Sequence, residues 1–360
     1  MRAMHRCAAV APVRIGTPVA QSPFPTIDVH CHVLTPAVET LVRGAPGHAE
    51  WATADAAGMG EASRQVNAAQ FETLFPKLTS VAVRLADMDT MGVDLQLVSP
   101  SPTQYHYWAQ PNLADRIAEL QNDTVSALLA AHPDRFLGLG TVTLQHPVRA
   151  AEQLTALMRD RGFKGAQIST LVAGRDVSDR IFDPFWAAAD RLGAVIFIHP
   201  WGTTLGNRLA QHYLMNTVGQ PLETAICLSK LIFDGTLERH RQLRIIAAHG
   251  GGYLPLYAGR SDHAYAVRPD ASGCGYAPSE QLRRIWFDSV VHDPEQLRQL
   301  IERVGDDRVV IGTDYPFDMG HYDPSGLVAR LSPERQCKVL GANAAALLGL
   351  SPAAGPPGER

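Results

Sequence analysis

A (β/α)8 barrel of the TIM type, an α/β fold, is the fold class that the sequence predicts, on three observations. Eight short apolar runs recur along the chain, each followed by a segment able to form a helix. The runs are apolar almost throughout, as expected of parallel strands covered on both faces. Four of them stop on a histidine or an aspartate, and in this fold the C-terminal strand ends share one rim where chemistry is done.

The elements follow in order. The first run, Thr26-Ile27-Asp28-Val29, closes on His30-Cys31-His32. Residues two apart on a strand face the same way, so both imidazoles are expected on one face and Cys31 on the other. A Gly/Ala-rich stretch at 36–76 comes next and is expected to be a long loop over the active-site mouth, an insertion after the first strand. VDLQLV at 93–98 is the second run, and residues 112–131 place Leu113, Ile117, Leu120, Val125, Leu128 and Leu129 near helical spacing. FLGLGTV at 136–142 is the third; residues 147–161 then start on Pro, which suits a first helical turn, and carry Leu154, Leu157 and Met158 on one face. GAQIS at 165–169 precedes a helix at 183–192, and AVIFIH at 194–199 precedes one at 221–239. RIIAAH ends on His249, RIWFD at 284–288 leads to a helix at 294–304, and VVIGTD ends on Asp314 before a last helix at 333–348. A doubly wound open sheet would show a glycine-rich nucleotide turn after its first strand. HCHV stands there instead.

The chain has 360 residues, above the ~250 typical of this barrel but within its range, so one domain at 26–350 is expected. Residues 1–25 are expected to be a flexible extension, because the apolar stretch from Cys7 is cut by Pro12 and followed by Arg14, a poor secretory signal. Residues 351–360, rich in Pro and Gly, are expected to be a disordered tail. A net charge of −4 with both signs interspersed gives no footprint for nucleic acid or an anionic membrane, and no apolar run reaches membrane-spanning length. Five cysteines, at 7, 31, 227, 274 and 337, form neither a CxxC pair nor an even framework, which points to a reducing cytoplasm. Cys31 and Cys227 read as small buried hydrophobes.

Taken singly, His199 and His249 read as hydrogen-bonded core histidines. Their repetition at strand ends favours a site. His30, His32 and His199 supply three nitrogens and Asp314 a carboxylate oxygen, a set suited to Zn²⁺ or a similar divalent ion, with Mn²⁺ compatible. His249 adjoins Gly250-Gly251-Gly252, which lets the chain turn sharply, and its spacing fits either a fifth ligand or a proton-transfer group.

The motifs IDVHCH, IFIHPW, AAHGGGYLP and IGTDYPF, with ADMDTMGVDLQLVSP, GQPLETAICLSKLIFDG, AGRSDH and GANAAALLGL between and after them, resemble the amidohydrolase superfamily and its aminocarboxymuconate-semialdehyde decarboxylase branch from about Ile27 to Leu350. The resemblance implies one metal on His30, His32, His199 and Asp314, with His249 as acid/base group. It implies substrate carboxylates held by arginines, one from the first loop, for which Arg64 is the candidate, and one donated across a homodimer, matched by Arg260. Trp201 and Tyr213 would face the substrate, Tyr213 standing where the branch has a tryptophan. Arg84 reads as a solvated helix residue, and Lys164 precedes the fourth strand, so a bridging carbamylated lysine is not expected. The implied activity is removal of CO2 from a small unsaturated or hydroxyaryl carboxylic acid. A metal-dependent hydrolase or hydratase of a ring-cleavage product or lactone is the alternative, and a non-catalytic metal-binding barrel is disfavoured by the retained His249.

Overall fold

The computed structural model describes residues 22–351, so the expected extension as far as residue 21 and the tail from residue 352 lie outside the described residues. Eight parallel strands follow one another in chain order around a single sheet: β1 (Ile27–Val33), β2 (Leu95–Pro100), β3 (Phe136–Gly140), β4 (Gly165–Ile168), β5 (Val195–Ile198), β6 (Arg244–Ala247), β7 (Trp286–Asp288) and β8 (Val309–Val310). The sheet closes where the chain beyond β8 meets β1. Val29 N–H donates to Ile311 O at 2.9 Å, Asp314 N–H to His30 O at 2.8 Å and His32 N–H to Tyr315 O at 2.8 Å. Closure leaves no exposed strand edge and sets Asp314 beside the two histidines of β1.

Ile27, Val29, Leu97, Leu139, Val195, Phe197, Ile246 and Val310 fill the lumen, and a helix at Asn343–Leu348 plugs its base with Ala344, Ala345, Leu347 and Leu348. Phe24, inside the stretch at 1–25 expected to be a flexible extension, packs against this lumen cluster. A second apolar layer, which includes Cys31, Val33, Ile196, Ile198, Leu228 and Leu297, lies between strands and helices. Strict alternation from Ile27 and Val29 would turn Cys31 inward and both histidines outward. The register of β1 against β2 slips between Asp28 and Cys31, a β-bulge that reverses the parity, so His30 and His32 face the lumen and Cys31 the helices. The sequence pattern paired the histidines correctly, and the bulge decided which face they took.

The stretch expected as a loop is largely helical: α1 (Pro36–Val42), α2 (His48–Met59), α3 (Glu61–Thr79) and α4 (Val81–Met91). Its alanines favour helix, but α2 and α3 carry no apolar stripe for periodicity to reveal. The helix expected at 221–239 runs Gln220–Phe233 (α5), preceded by a π-helical turn at Met215–Gly219 and ended at Asp234-Gly235 before a short turn at Thr236–Arg239. No helix among the described residues is long and apolar enough to cross a membrane.

Candidate metal centre

Four donor atoms, one each from His30, His32, His199 and Asp314, lie within 4.8 Å of one another in a buried cluster at the C-terminal rim. Hydrogen bonds on the far side of each imidazole fix its orientation. His30 Nδ1–H donates to Asp288 Oδ2 at 2.6 Å and His199 Nδ1–H to Pro200 O at 2.8 Å. His32 Nδ1 lies 3.2 Å from Ser99 Oγ, whose hydroxyl donates to Gln167 Oε1 at 2.6 Å and so leaves its oxygen to accept from the ring. Each ring thereby turns a lone-pair Nε2 toward the centre. The Nε2 atoms of His30 and His32 are 3.1 Å apart and stand 3.2 and 3.4 Å from Asp314 Oδ1, while His199 Nε2 is buried with no hydrogen-bond partner among the described residues. Converging lone pairs repel unless a cation lies among them. The donor set therefore fits a divalent metal.

The electrostatics agree. Burial opposes charge on His30, yet Asp314 and Asp288 outweigh it and raise its pKa to about 10. Burial, with the charge on His30, lowers His32 to about 4, and burial with the neighbouring imidazoles holds His199 well below the usual histidine value. Burial also opposes ionisation of Asp314, but His30, His249 and His32 hold it well below the carboxylate range. The site thus favours one positive charge facing two neutral imidazoles and an ionised carboxylate, a charge that either a proton on His30 Nε2 or a bound cation in its place would supply.

His249 stands just outside the four donors. Its Nε2 is 3.7 Å from Asp314 Oδ2, its ring centroid is 5.0 Å from that of His199, and it lines a cavity of about 420 Å3. Its backbone is left-handed, φ 55°, and so is that of Asp314, φ 56°, conformations that non-glycine residues adopt where the surroundings impose them. Gly250 follows at φ 60° and Gly252 at φ 65°; a Cβ on Gly252 would come within 2.0 Å of Pro221 O, so the turn that presents His249 needs glycine there.

Three residues that frame the centre escaped the sequence reading. Asp288 closes the apolar run of β7, a strand-end signal like the other four; besides holding His30, its Oδ1 accepts from Gly250 N–H at 2.9 Å and Val290 N–H at 3.1 Å. Asp28, fully buried, accepts from His30 N–H and Thr313 N–H at 3.0 Å each and from Thr313 Oγ1 at 2.7 Å, tying β1 to the Asp314 turn. Arg84, expected to be solvated, is 1% exposed: its guanidinium donates to His32 O and, at 3.0 Å, to Gln96 Oε1, and lies over the Tyr315 ring. A lone arginine on a helix gives no hint in the sequence of what stands opposite it. The inward polar residue of β4 is Gln167, hydrogen-bonded to Ser99 and Pro100 O, and Lys164 lies before the strand.

Trp201 and Tyr213 both line a second cavity, of about 190 Å3, beside His199 and Asp314. Arg64 lines neither cavity. It sits in the first turn of α3, where its guanidinium pairs with Glu61 one turn back and donates to Ala56 O, and its side chain is 40% exposed. A near carboxylate on its own helix holds it away from the centre. Arg260 is exposed on α6 (Leu254–Val267), near the exposed Tyr253, Leu256 and Tyr257.

The amidohydrolase family model matches residues 27–350. A 2-amino-3-carboxymuconate-6-semialdehyde decarboxylase of Dictyostelium discoideum is 32% identical, over 91% of this chain and 92% of its own. Among solved structures, 5-carboxyvanillate decarboxylase of Sphingomonas paucimobilis superposes with a TM-score of 0.78 at 25% identity, covering 91% of this chain and 100% of that one. A 5-carboxyvanillate decarboxylase of Novosphingobium aromaticivorans, complexed with manganese and 4-hydroxy-3-methoxy-5-nitrobenzoic acid, has a TM-score of 0.79 at 23% identity, covering 91% of this chain and 96% of that one.

Proposed function

The chain belongs to the amidohydrolase family, and on that premise we propose that it is a metal-dependent, non-oxidative decarboxylase of a small unsaturated or hydroxyaryl carboxylic acid. The observation that carries this reading is the convergence of His30, His32, His199 and Asp314 beside a cavity whose wall includes His249. Those four residues would hold one divalent ion, zinc by preference and manganese as the alternative. Such an ion, when bound, supplies a Lewis acid for negative charge developing on a substrate oxygen.

The remaining work falls to the chain. The bond between the conjugated carbon and the carboxylate breaks, CO2 departs, and the electron pair stays with the conjugated system until a proton reaches that carbon. His249 is the group suited to deliver it, because an imidazole both gives and accepts protons and this ring borders the cavity with its Nε2 3.7 Å from Asp314 Oδ2. Trp201 and Tyr213 supply aromatic walls that would hold a planar substrate. Trp201 is itself held by a hydrogen bond from its indole N–H to Asp55 Oδ1 at 2.9 Å. Arg260 would act from a partner subunit: it is exposed beside Tyr253, Leu256 and Tyr257, which are 47%, 40% and 66% exposed and offer an apolar surface for a homodimer to cover. Cys31, Cys227, Cys274 and Cys337 are all free thiols, which supports a cytoplasmic setting.

The test is elemental analysis of the purified protein followed by a screen of unsaturated and hydroxyaryl acids for CO2 and product mass. About one divalent ion per chain and CO2 release are expected, and His199→Ala should lose metal and activity together. A product heavier by one water, without CO2, sinks the decarboxylase reading in favour of a hydratase or hydrolase. Full metal in the His199 variant sinks the ligand set.

A further inference from the structure

The two cavities meet at the centre. The wider, about 420 Å3, reaches His249 and opens toward Tyr253 and Tyr257; the narrower, about 190 Å3, reaches His199 and runs beneath α3. Both are bordered by Asn216, Gln220, Asp314 and Met319, so they form two lobes of one site. The lobe beneath α3 is walled by Met59, Phe71, Leu74 and Leu78 from the segment after β1, and the polar side chains that this segment adds are the neutral amides Asn67 and Gln70. Among the described residues no lysine or arginine lines either lobe. The charged side chain besides Asp314 in the narrow lobe is Asp318, itself an acid, which accepts from Gln70 Nε2 at 3.2 Å.

Beyond the candidate metal ligands, a carboxylate pushed into this lobe would lose water, meet apolar carbon, neutral amides and hydroxyls, and approach Asp318, with no lysine or arginine among the described residues to repay it. An alkyl group or ring edge would lose nothing and gain burial. We infer that the lobe beneath α3 receives the uncharged, apolar end of the substrate, so that the acid taken is a monocarboxylate whose one carboxylate lies on the His249 side and a dicarboxylate is excluded. The inference rests on the decarboxylase reading and adds to it the substrate class, with the inserted helix as the element that sets specificity.

The experiment compares, by calorimetry on the metal-loaded protein, hydroxybenzoates carrying a methyl or ethyl group at the ring position distal to the carboxylate with the same scaffold carrying a second carboxylate there. The alkylated acids should bind about 10- to 100-fold more tightly. Equal or tighter binding of the dicarboxylates overturns the inference. Leu74→Arg should shift the ratio toward the dicarboxylates by supplying the missing cation; if that variant does not fold, the parent's binding ratio decides alone. CO2 release is measured in parallel. Preferential binding of alkylated acids without CO2 release upholds the lobe and removes the decarboxylase reading, whereas a preference for dicarboxylates with CO2 release does the reverse.

Discussion

At the scale of single residues, the centre depends on hydrogen bonds made behind the donor atoms. Asp288 is the clearest case, since its carboxylate accepts the Nδ1 proton of His30 and also fixes the turn that carries His249. Asp288→Asn can keep one carbonyl oxygen for Gly250 N–H, but its amide then faces His30 and favours the tautomer with the proton on Nε2. Metal affinity in a chelator competition should fall by about 10- to 100-fold; unchanged affinity would show that the ring is held by packing alone. His249 should behave differently. His249→Ala is expected to retain metal by elemental analysis and to lose about 10²- to 10⁴-fold in kcat. Parallel loss of metal would recast it as a ligand. The four clustered donor residues were legible in the sequence because each sits at the end of an apolar run; the contacts of Arg84 and Asp28 were not, because their partners come from elsewhere in the barrel.

At the scale of elements, the helices after β1 add what a minimal barrel lacks, a roof over the narrow lobe. Part of their anchoring is aromatic: Trp51 of α2 packs edge-on against His106, with ring centroids 5.1 Å apart, and Trp108 flanks His106 at 5.7 Å. His106 is 2% exposed, and neither ring nitrogen has a hydrogen-bond partner among the described residues. Burial, then the nearby His48, lowers its pKa from 6.5 to about 4. The unfolded chain therefore takes up this proton first on acidification. Stability from His106 is fully present above pH 6.5 and is lost as pH falls toward 4, by at most about 3 kcal/mol. Denaturant titrations at pH 7 and pH 5 should show a shallower pH dependence for His106→Phe than for the parent; identical slopes would remove His106 as the source. The bulge in β1 belongs to this scale as well, because a one-residue slip reverses the facing of everything beyond it.

At the scale of the whole molecule, the wide lobe opens beside α6, where Tyr253, Leu256, Tyr257 and Arg260 are exposed. If Arg260 completes the neighbouring subunit's site, a His249→Ala chain and an Arg260→Ala chain should each be poorly active, and mixing and reassembling them should restore activity at the mixed site that contains both intact residues. No recovery after verified reassembly, or full activity in a monomer, would return Arg260 to the surface. The sequence by itself determined the barrel, its strand order and the residue types at its rim, because burial of parallel strands on both faces and the helical spacing between them are local and periodic. It could not determine that residues 36–76 are helical, since α2 and α3 have no apolar stripe, or that Arg64 would turn to Glu61. The closure of β8 onto β1, the parity set by the bulge, the approach of Asp288 to His30 and the enclosure of the narrow lobe were decided by tertiary structure. Each depends on atoms far apart in the chain, and the packing that brings them together leaves no periodic trace in the residues themselves.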